Sequence, residues 1–173
     1  MRRQRLAEML QGGDRRSIGK SNQVAKLVLS DPKRFSELIE CFWNEDPIVR
    51  MRAADAAEKV TVSCPELLKP YKRELLGLLA EAEQIELRWH LAMMVPRLAL
   101  TRAESKRAAA ALQHYLEDRS SIVKAFALQG LVDLAGQNPG LRDAAREALE
   151  ESSRTGTAAM KARARKLLKE LKS

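Results

Sequence analysis

Cysteine and histidine are the side chains that most often bind transition metals, and the sequence contains two of each. Cys41 and Cys64 have neither the number nor the spacing of a zinc site or a disulfide framework. His90 and His114 stand far apart in the chain. The sequence therefore predicts no metal site, and it predicts reduced cysteines that pack inside the protein.

Acidic residues are plentiful, but their placement does not favour acid–base catalysis. They occur on faces expected to be solvated, as Glu81, Glu83 and Glu86 do, and nothing isolates a pair of carboxylates. The sequence also has no glycine-rich phosphate loop and no nucleophile elbow. It therefore favours a non-enzymatic role and predicts no cofactor.

The net charge of +8 is typical of proteins that bind nucleic acid, so the position of the charge matters more than its total. Residues 1–26 carry +5 and residues 139–173 carry +4, whereas residues 27–64, 65–101 and 102–138 carry −2, 0 and +1. A groove that follows a phosphate backbone needs cations along its whole length. This sequence has its excess only at the two ends.

Each basic end has two interpretations. The N-terminal cluster is typical of an arm that contacts nucleic acid or an acidic partner, and equally of a solubilising tail. The run 161–172 has six basic residues, and a terminal helix needs a polar outer face and benefits from cations near its C-terminus. The N-terminal cluster consists of Arg2, Arg3, Arg5, Arg15, Arg16 and Lys20.

The elements that position these residues are predicted to be helices. Hydrophobic residues make up 45% of the chain and aromatic residues only 4%, with alanine and leucine dominating, which is typical of packed helices. No apolar run approaches the roughly 20 residues that span a bilayer, and no apolar segment follows the basic start. We therefore expect an all-α, cytoplasmic protein with no membrane partner.

A repeat of 36 to 38 residues organises the chain. The pair Val49-Arg50 is matched by Leu87-Arg88, Val123-Lys124 and Met160-Lys161. A period in this range is typical of stacked helical hairpins, in which neighbouring units complete one another's core.

Aligning the four pairs predicts which other positions are buried. Positions 4, 8 and 11 residues after the first member of each pair are always apolar, which is the spacing of one buried helical face. Eleven residues before each pair stands a leucine. The predicted buried columns are Ala53/Leu91/Ala127/Ala164, Ala57/Val95/Leu131/Leu168, Val60/Leu98/Leu134/Leu171 and Leu38/Leu76/Leu112/Leu149.

Helix caps and prolines place the boundaries of the hairpins. Asp46, Ser120 and Thr157 stand where the second helices should begin and have side chains that accept hydrogen bonds from a first turn. Prolines 32, 65 and 139 stand at the first turns of first helices. The sequence predicts hairpins at about 32–62, 65–100, 102–136 and 139–172, within one single domain.

Two regions depart from this repeat. Residues 1–31 do not fit the columns and are predicted to form a basic arm and short capping helices that cover the first hairpin. Pro70 and Pro96 fall inside predicted helices of the second hairpin, and each should kink its helix.

The motif Asp-Pro-Ile-Val-Arg-Met-Arg-Ala-Ala-Asp-Ala-Ala at 46–57 resembles the second-helix signature of HEAT repeats, and the pattern covers residues 32–172. The resemblance implies an α-α superhelix, a short right-handed solenoid of about four hairpins. It also implies a scaffold for protein partners, with nucleic acid as a less common partner. In HEAT repeats the basic residue of the repeated pair, here Arg50 and Arg88, commonly pairs with acidic or carbonyl groups of a neighbouring repeat.

In such solenoids the second helices line the concave face, and this predicts the residues of a binding stripe. Met93 and Phe126 lie at its centre with charged residues outside, which is the pattern of a protein or peptide site. Alternatively, both side chains fold inward and fill gaps between helices. The predicted partner-binding residues are Arg52, Lys59, His90, Met93, Arg97, Phe126, Gln129, Arg163 and Lys166, with Asp55, Asp133 and Glu170 in the same stripe.

The second candidate function is nucleic-acid binding. HEAT-like alkylpurine DNA glycosylases use aromatic residues and an acidic residue in a concave groove, and the candidates here would be Trp43, Trp89 and Asp55. Trp89 stands next to the predicted stripe and Trp43 ends a first helix, so the correspondence fails residue by residue. A bilin-lyase-like enzyme follows from the fold alone, and no residue favours it.

Overall fold

The computed structural model describes residues 4–172, and every regular element in that range is a helix. Short 3₁₀ segments precede or follow several of the α-helices. The α-helices of this range are α1 (Leu6–Leu10), α2 (Ser21–Ser30), α3 (Phe35–Glu40), α4 (Pro47–Ser63), α5 (Lys72–Glu81), α6 (Ile85–Met94), α7 (Arg102–Tyr115), α8 (Ser121–Gln137), α9 (Arg142–Thr155) and α10 (Ala158–Lys172).

Internal contacts divide the chain into two compact units, Met1–Tyr71 and Lys72–Ser173. The sequence had predicted a single domain, and the boundary falls inside its second predicted hairpin. The 3₁₀ helix Pro65–Tyr71 ends the first unit and α5 begins the second. Each unit has its own set of packed helices.

In the first unit, residues 6–30 form a helical pair that stacks on the following hairpin. Helix α1 contacts α3 and α4, and α2 packs along α4. Helices α1 and α2 are the short helices that the sequence predicts within residues 1–31. Val24 and Val28 of α2 are fully buried, as are Ala53 and Ala57 of α4.

In the second unit, the second helices of successive hairpins pack side by side. Helix α8 contacts α6 on one side and α10 on the other, while α7 and α9 pack behind them as first helices. Leu91, Ala127 and Ala164 are fully buried where these helices meet. The three buried columns predicted for the second helices are confirmed at every position except Leu168, which is half-buried.

The predicted helix caps are confirmed. The Asp46 side chain accepts a hydrogen bond from the backbone N–H of Ile48, and Ser120 accepts one from Val123. Thr157 accepts one from Met160. These bonds satisfy first-turn donors that have no partner within the helix, which explains why α4, α8 and α10 begin where they do.

The predicted column of first-helix leucines is wrong at one position. Leu38, Leu112 and Leu149 are fully buried, but Leu76 is half-exposed and Leu75 is buried in its place. The cause is Pro70, which keeps residues 65–71 in a 3₁₀ helix with about three residues per turn, so that α5 begins only at residue 72. Because a 3₁₀ turn contains fewer residues than an α-helical turn, the residues of α5 that face the core are shifted by one position relative to the other first helices.

Pro96 ends a helix where the sequence predicted a kink. Helix α6 stops at Met94, a 3₁₀ turn follows at Val95–Arg97, and Leu98 has an extended backbone. The Gln137 side chain of α8 donates a hydrogen bond to the carbonyl of Pro96. The carbonyl exposed by the end of the helix is therefore satisfied by the next hairpin.

Candidate functional site

The predicted stripe of the second unit lies on one face of α6, α8 and α10, which we call the second-helix face. Met93, Arg97, Phe126, Gln129 and Arg163 are half-exposed on this face. These side chains are partly accessible to solvent. A partner could therefore contact them without any change in the packing of the core.

An aromatic stack lies at the centre of this face and consists of Trp89, Phe126 and Arg163. The rings of Trp89 and Phe126 stack with centroids 5.3 Å apart and planes inclined by 22°. The Arg163 guanidinium carbon lies 5.2 Å from the centre of the Phe126 ring, within cation–π range. One layered column therefore connects α6, α8 and α10.

The sequence placed Trp89 beside the stripe, and the structure corrects this. Its indole ring leans from α6 toward α8 and covers Phe126. The only sequence signal of this contact was that Trp89 directly precedes a residue of the predicted stripe. Helical spacing gives the direction of a side chain, but it does not give how far a large ring extends.

A cleft of about 290 Å³ opens beside the stack. It is open to solvent and combines apolar and charged walls, with contributions from α6, the 3₁₀ turn after it, and α8. Its lining consists of Met93, Pro96, Arg97, Phe126, Gln129 and Asp133.

Charges of both signs surround Asp133 in this cleft. Loss of water around its carboxylate raises the pKa of Asp133, and repulsion from Glu170 acts in the same direction. A hydrogen bond from Gln129, with Nε2 2.9 Å from the Asp133 Oδ1, opposes this rise, as do Arg97 and Arg163. Two guanidinium groups, Arg97 in the cleft lining and Arg163 on α10, therefore lie close enough to act on one carboxylate.

Arg163 has an unused donor. Its Nε atom is buried and has no hydrogen-bond acceptor among the described residues. Buried donors in native proteins are nearly always paired, so this unpaired one is an exception among the described residues.

His90 is not displayed on the surface. It is 2% exposed, and its Nδ1 lies 2.5 Å from the backbone carbonyl oxygen of Glu86. The Trp89 ring stacks on it with centroids 3.5 Å apart. The prediction that His90 contacts a partner is therefore corrected, because this imidazole lies beneath the aromatic stack.

Arg52 is a second correction. It is 2% exposed and donates hydrogen bonds to backbone carbonyls of residues 10–17, including those of Leu10 at 2.8 Å and Asp14 at 3.1 Å. We call this arrangement the carbonyl cage. At Gly19, whose φ is +51°, an added Cβ would lie 2.7 Å from the Arg52 guanidinium carbon, so the loop can pass this closely only as glycine.

The neighbouring charged residues of the predicted stripe are also used within the first unit. The Asp55 carboxylate accepts hydrogen bonds from Ser21 and Lys59, and Lys59 also donates to the Asn22 side chain at 2.7 Å. Helix α2 therefore lies over the positions expected to face a partner. Asp55, the acidic candidate for a glycosylase-like site, is therefore hydrogen-bonded to residues of α2 and α4.

Two of the repeated basic residues, Arg50 and Arg88, form hydrogen bonds within the fold. Arg88 forms an ion pair with Asp118 of the following hairpin, with Nη1 2.6 Å from Oδ2, and donates to the carbonyl of Ala82. This confirms the predicted pairing between repeats. Arg50 instead donates to the carbonyls of Asn44 and Glu45 in the turn of its own hairpin.

The two thiols are free, with Cys41 buried and Cys64 half-buried. Desolvation by burial raises the pKa of the Cys41 thiol to about 11, and the charges of Glu37 and Glu40 add to the effect. Cys41 is therefore a poor nucleophile at neutral pH. Within residues 4–172 no cluster of histidine, cysteine and acidic residues has the arrangement of a metal site, and no helix has the length and apolar character needed to cross a membrane.

Exposed basic residues lie at both ends of the part of the chain that the structure describes. Arg2 and Arg3 lie outside the described residues, while Arg5, Arg15, Arg16 and Lys20 are exposed. On α10 the exposed basic residues are Arg165, Lys166, Lys169 and Lys172.

Similarity to known proteins is found among solved structures. One is described as "Crystal structure of computationally designed armadillo repeat proteins for modular peptide recognition"; it is 16% identical, with a TM-score of 0.67 over 95% of this chain and 79% of that one. A second, "Designed armadillo repeat protein YIII(Dq)4CqI", is 17% identical, with a TM-score of 0.62 over 96% and 80%. No family model and no curated protein matches the chain.

At these identities the comparison shows the fold alone, and the HEAT assignment stays a prediction. The all-helical structure and its similarity to armadillo-repeat structures confirm the predicted fold class. The chain has the α-solenoid fold of helical repeat proteins.

Proposed function

We propose that this chain is a non-enzymatic repeat scaffold that binds a peptide segment of a partner protein on the second-helix face of its second unit. The observation that carries the proposal is the half-exposed aromatic stack beside an open cleft with charged walls. Binding energy at protein interfaces is concentrated in central aromatic and arginine side chains surrounded by polar groups. Trp89, Phe126 and Arg163 have this composition and arrangement.

The similar structures support a peptide as the ligand. One of them belongs to armadillo repeat proteins that were computationally designed for modular peptide recognition. A helical repeat surface suits an extended peptide because each hairpin presents the same face in turn. The hairpins here consist of two main helices, which favours the HEAT type over the three-helix armadillo type within the same fold.

The chemistry of the site defines the peptide. An apolar side chain would enter the cleft between Met93 and Phe126, where it would displace water from half-exposed apolar surface. A carboxylate or backbone carbonyl next to it would accept from the guanidinium of Arg163, which is half-exposed over the Phe126 ring. The ligand is therefore a segment with an apolar anchor and an adjacent oxygen acceptor.

The test is a selection of random displayed peptides on the purified protein, followed by affinity measurements on the enriched sequences. Phe126→Ala should weaken binding by at least about tenfold, as expected for loss of a central aromatic contact. Arg163→Gln should weaken it less, because it leaves the aromatic rings in place. Circular dichroism should show that both variants keep their helices.

Trp43→Ala is the matched control because Trp43 is an exposed aromatic residue of the first unit, with 51% of its surface accessible. It should leave peptide binding unchanged. Peptides that bind the wild type and the Phe126→Ala variant equally well would show that the second-helix face is not the site and would remove the basis of the proposal.

Nucleic-acid binding is the second candidate function, and one observation favours it. Nucleic-acid bases stack on aromatic rings and arginine planes next to cationic surfaces, and α10 places exposed Arg165, Lys166 and Lys169 on the helix that carries Arg163. A labelled single strand added to the same binding assay distinguishes the two functions. Binding that survives physiological salt and is lost in Phe126→Ala would favour nucleic acid over peptide.

A further inference from the structure

A groove between the first helices α5 and α7 lies outside the site described above. Its volume is about 570 Å³, and it is open to solvent. The floor consists of Leu76, Gly77 and Ala80 from α5 and Ala108 from α7. No part of the proposed peptide site uses these residues.

The apolar floor is a consequence of the one-position shift in α5. Leu75 and Leu79 fill the core, and Leu76 is displaced to a half-exposed position in the groove. At the equivalent repeat positions, Leu38, Leu112 and Leu149 are fully buried. An apolar side chain that the repeat would bury is therefore left on the surface of this hairpin alone among the four.

The edges of the groove are basic. Arg73 on α5 and Arg107 on α7 are exposed, and neither forms an ion pair with any residue of the described range. A third cation, Lys72, pairs with Glu104 across one end of the groove, with Nζ 2.9 Å from Oε2. The lining therefore has two positive charges that lack a partner.

The Glu104 carboxylate is bonded to Thr101 and Lys72 and forms no ion pair with Arg73 or Arg107. Glu104 closes the capping box of α7, where its side chain accepts from the Thr101 backbone at 2.8 Å. The Thr101 and Lys72 hydrogen bonds lower the pKa of Glu104, so its charge is retained near neutral pH and stays opposite Lys72.

We infer that the α5/α7 groove is a docking site for an acidic amphipathic helix of a partner protein. An apolar stripe on the incoming helix would cover Leu76 and the small residues of the floor, and acidic residues on either side of the stripe would meet Arg73 and Arg107. Helices bind grooves between helices in this way through apolar anchors three or four residues apart. The groove lies on different helices from the second-helix face, so this inference stands independently of the proposed function.

The experiment is an NMR titration of the isotope-labelled full chain with a synthetic helical peptide of roughly 18 residues, built from glutamate, alanine and one stripe of leucine. Amide shifts should change at Leu76, Gly77, Ala80 and Ala108. A peptide with lysine in place of every glutamate should produce no such changes. Charge complementarity predicts a loss of affinity of about tenfold in the Arg73→Glu, Arg107→Glu double variant.

Gly77→Leu places an apolar side chain in the groove at a position where an added Cβ meets nothing within 4 Å, and circular dichroism should show that the variant keeps its helices. It should weaken peptide binding by about tenfold or more through steric exclusion. Gly136→Leu is the matched control, since Gly136 on α8 is also exposed and has equally open space around an added Cβ. It should leave the titration unchanged.

Three results would overturn the inference. Equal shifts with the acidic and basic peptides would mean that charge does not select the ligand. Shifts confined to α6, α8 and α10 would assign the acidic peptide to the second-helix face. Concentration-dependent shifts at the groove without any peptide would identify a second copy of the chain as its occupant.

Discussion

Arg52 and Arg163 occupy the same position of the repeat, three residues after the first member of the repeated pair, yet the structure uses them in opposite ways. Arg52 is buried in the carbonyl cage and fixes the loop between α1 and α2. Arg163 is half-exposed over the Phe126 ring, and its Nε has no acceptor within residues 4–172. One arginine is saturated with internal partners and the other is not.

The difference shows what a repeat position fixes. It sets the direction in which a side chain leaves its helix, and both arginines leave on the second-helix side. What lies over that side depends on chain outside the repeat, which in the first unit is the segment 10–22. A binding stripe predicted from periodicity is therefore reliable only where no other segment covers it.

Removing the Arg52 side chain should have the largest effect. Arg52→Ala removes the donor shared by one buried carbonyl, that of Leu10, and the part-buried carbonyls of Gly12, Asp14 and Ser17. At 1–3 kcal/mol for a buried acceptor left unsatisfied, and less for acceptors that water can reach, we expect a loss of about 3 kcal/mol in the free energy of unfolding. Urea unfolding measures this loss, and limited proteolysis near Gly12 and Gly13 should become faster.

Arg163→Ala is the matched control for Arg52→Ala. Because Arg163 is half-exposed and loses a cation–π contact, the expected cost is about 1 kcal/mol or less. Equal losses of stability in the two variants would contradict the contrast between a caged and an available arginine.

A second test compares two glycines of α8. At Gly130 an added Cβ would lie 2.8 Å from the Ala92 carbonyl oxygen and 2.8 Å from Leu112 Cδ1, whereas at Gly136 it meets nothing within 4 Å. Gly130→Ala should therefore destabilise the protein by about 1–3 kcal/mol through overpacking. Gly136→Ala should stabilise it by up to about 1 kcal/mol, since alanine favours a helix.

Thermal or urea unfolding of both glycine variants measures the difference. The test sharpens the comparison because it asks whether the helix that carries Phe126 is held rigidly against α6. If Gly130→Ala were as stable as Gly136→Ala, the helices under the aromatic stack would have to be free to separate.

The smallest expected change in stability concerns a third arginine, Arg88, whose ion-pair partner Asp118 can be protonated. Burial of the Asp118 carboxylate tends to raise its pKa, but hydrogen bonds from the Ser120 backbone and from Arg88 outweigh this and lower the pKa overall. A carboxyl group with a lowered folded-state pKa stabilises the protein above its unfolded pKa of about 3.9, and this contribution is lost as the pH falls through the folded value.

Asp118→Asn should therefore lower the free energy of unfolding by about 1 kcal/mol at neutral pH, as expected for a charge-assisted hydrogen bond reduced to a neutral one. The difference from wild type should disappear in acid. The carbonyl cage has no titrating acceptor, so the loss caused by Arg52→Ala should stay constant over the same range. Urea unfolding at a series of pH values below 7 distinguishes the two kinds of anchor.

Much of the fold could be predicted from the sequence because its determinants are local and repeat. The caps at Asp46, Ser120 and Thr157 depend on residues within one turn, and the buried columns depend on helical spacing. The pairing of Arg88 with the next hairpin followed from the resemblance to HEAT repeats and was also correct. The division at residues 71 and 72 was not predicted, because it depends on the density of contacts and not on the repeat period.

The candidate site was only partly predictable. Met93, Phe126 and Arg163 were identified from their spacing, but Trp89 was excluded by one position and Arg52 was included although it is buried. The one-position shift in α5 that exposes Leu76 was also missed. Each error arose where a contact depends on ring size, on a loop or on a change of helix type.

The sequence by itself determined the all-helical class, the repeat period, the helix starts and most of the core, because these follow from hydrogen-bonding rules and periodicity within short segments. Only the tertiary structure decided which repeat positions are open to a partner. Accessibility depends on segments distant in sequence, such as the loop that encloses Arg52 and the indole that covers Phe126, and no local pattern specifies where a covering segment will lie.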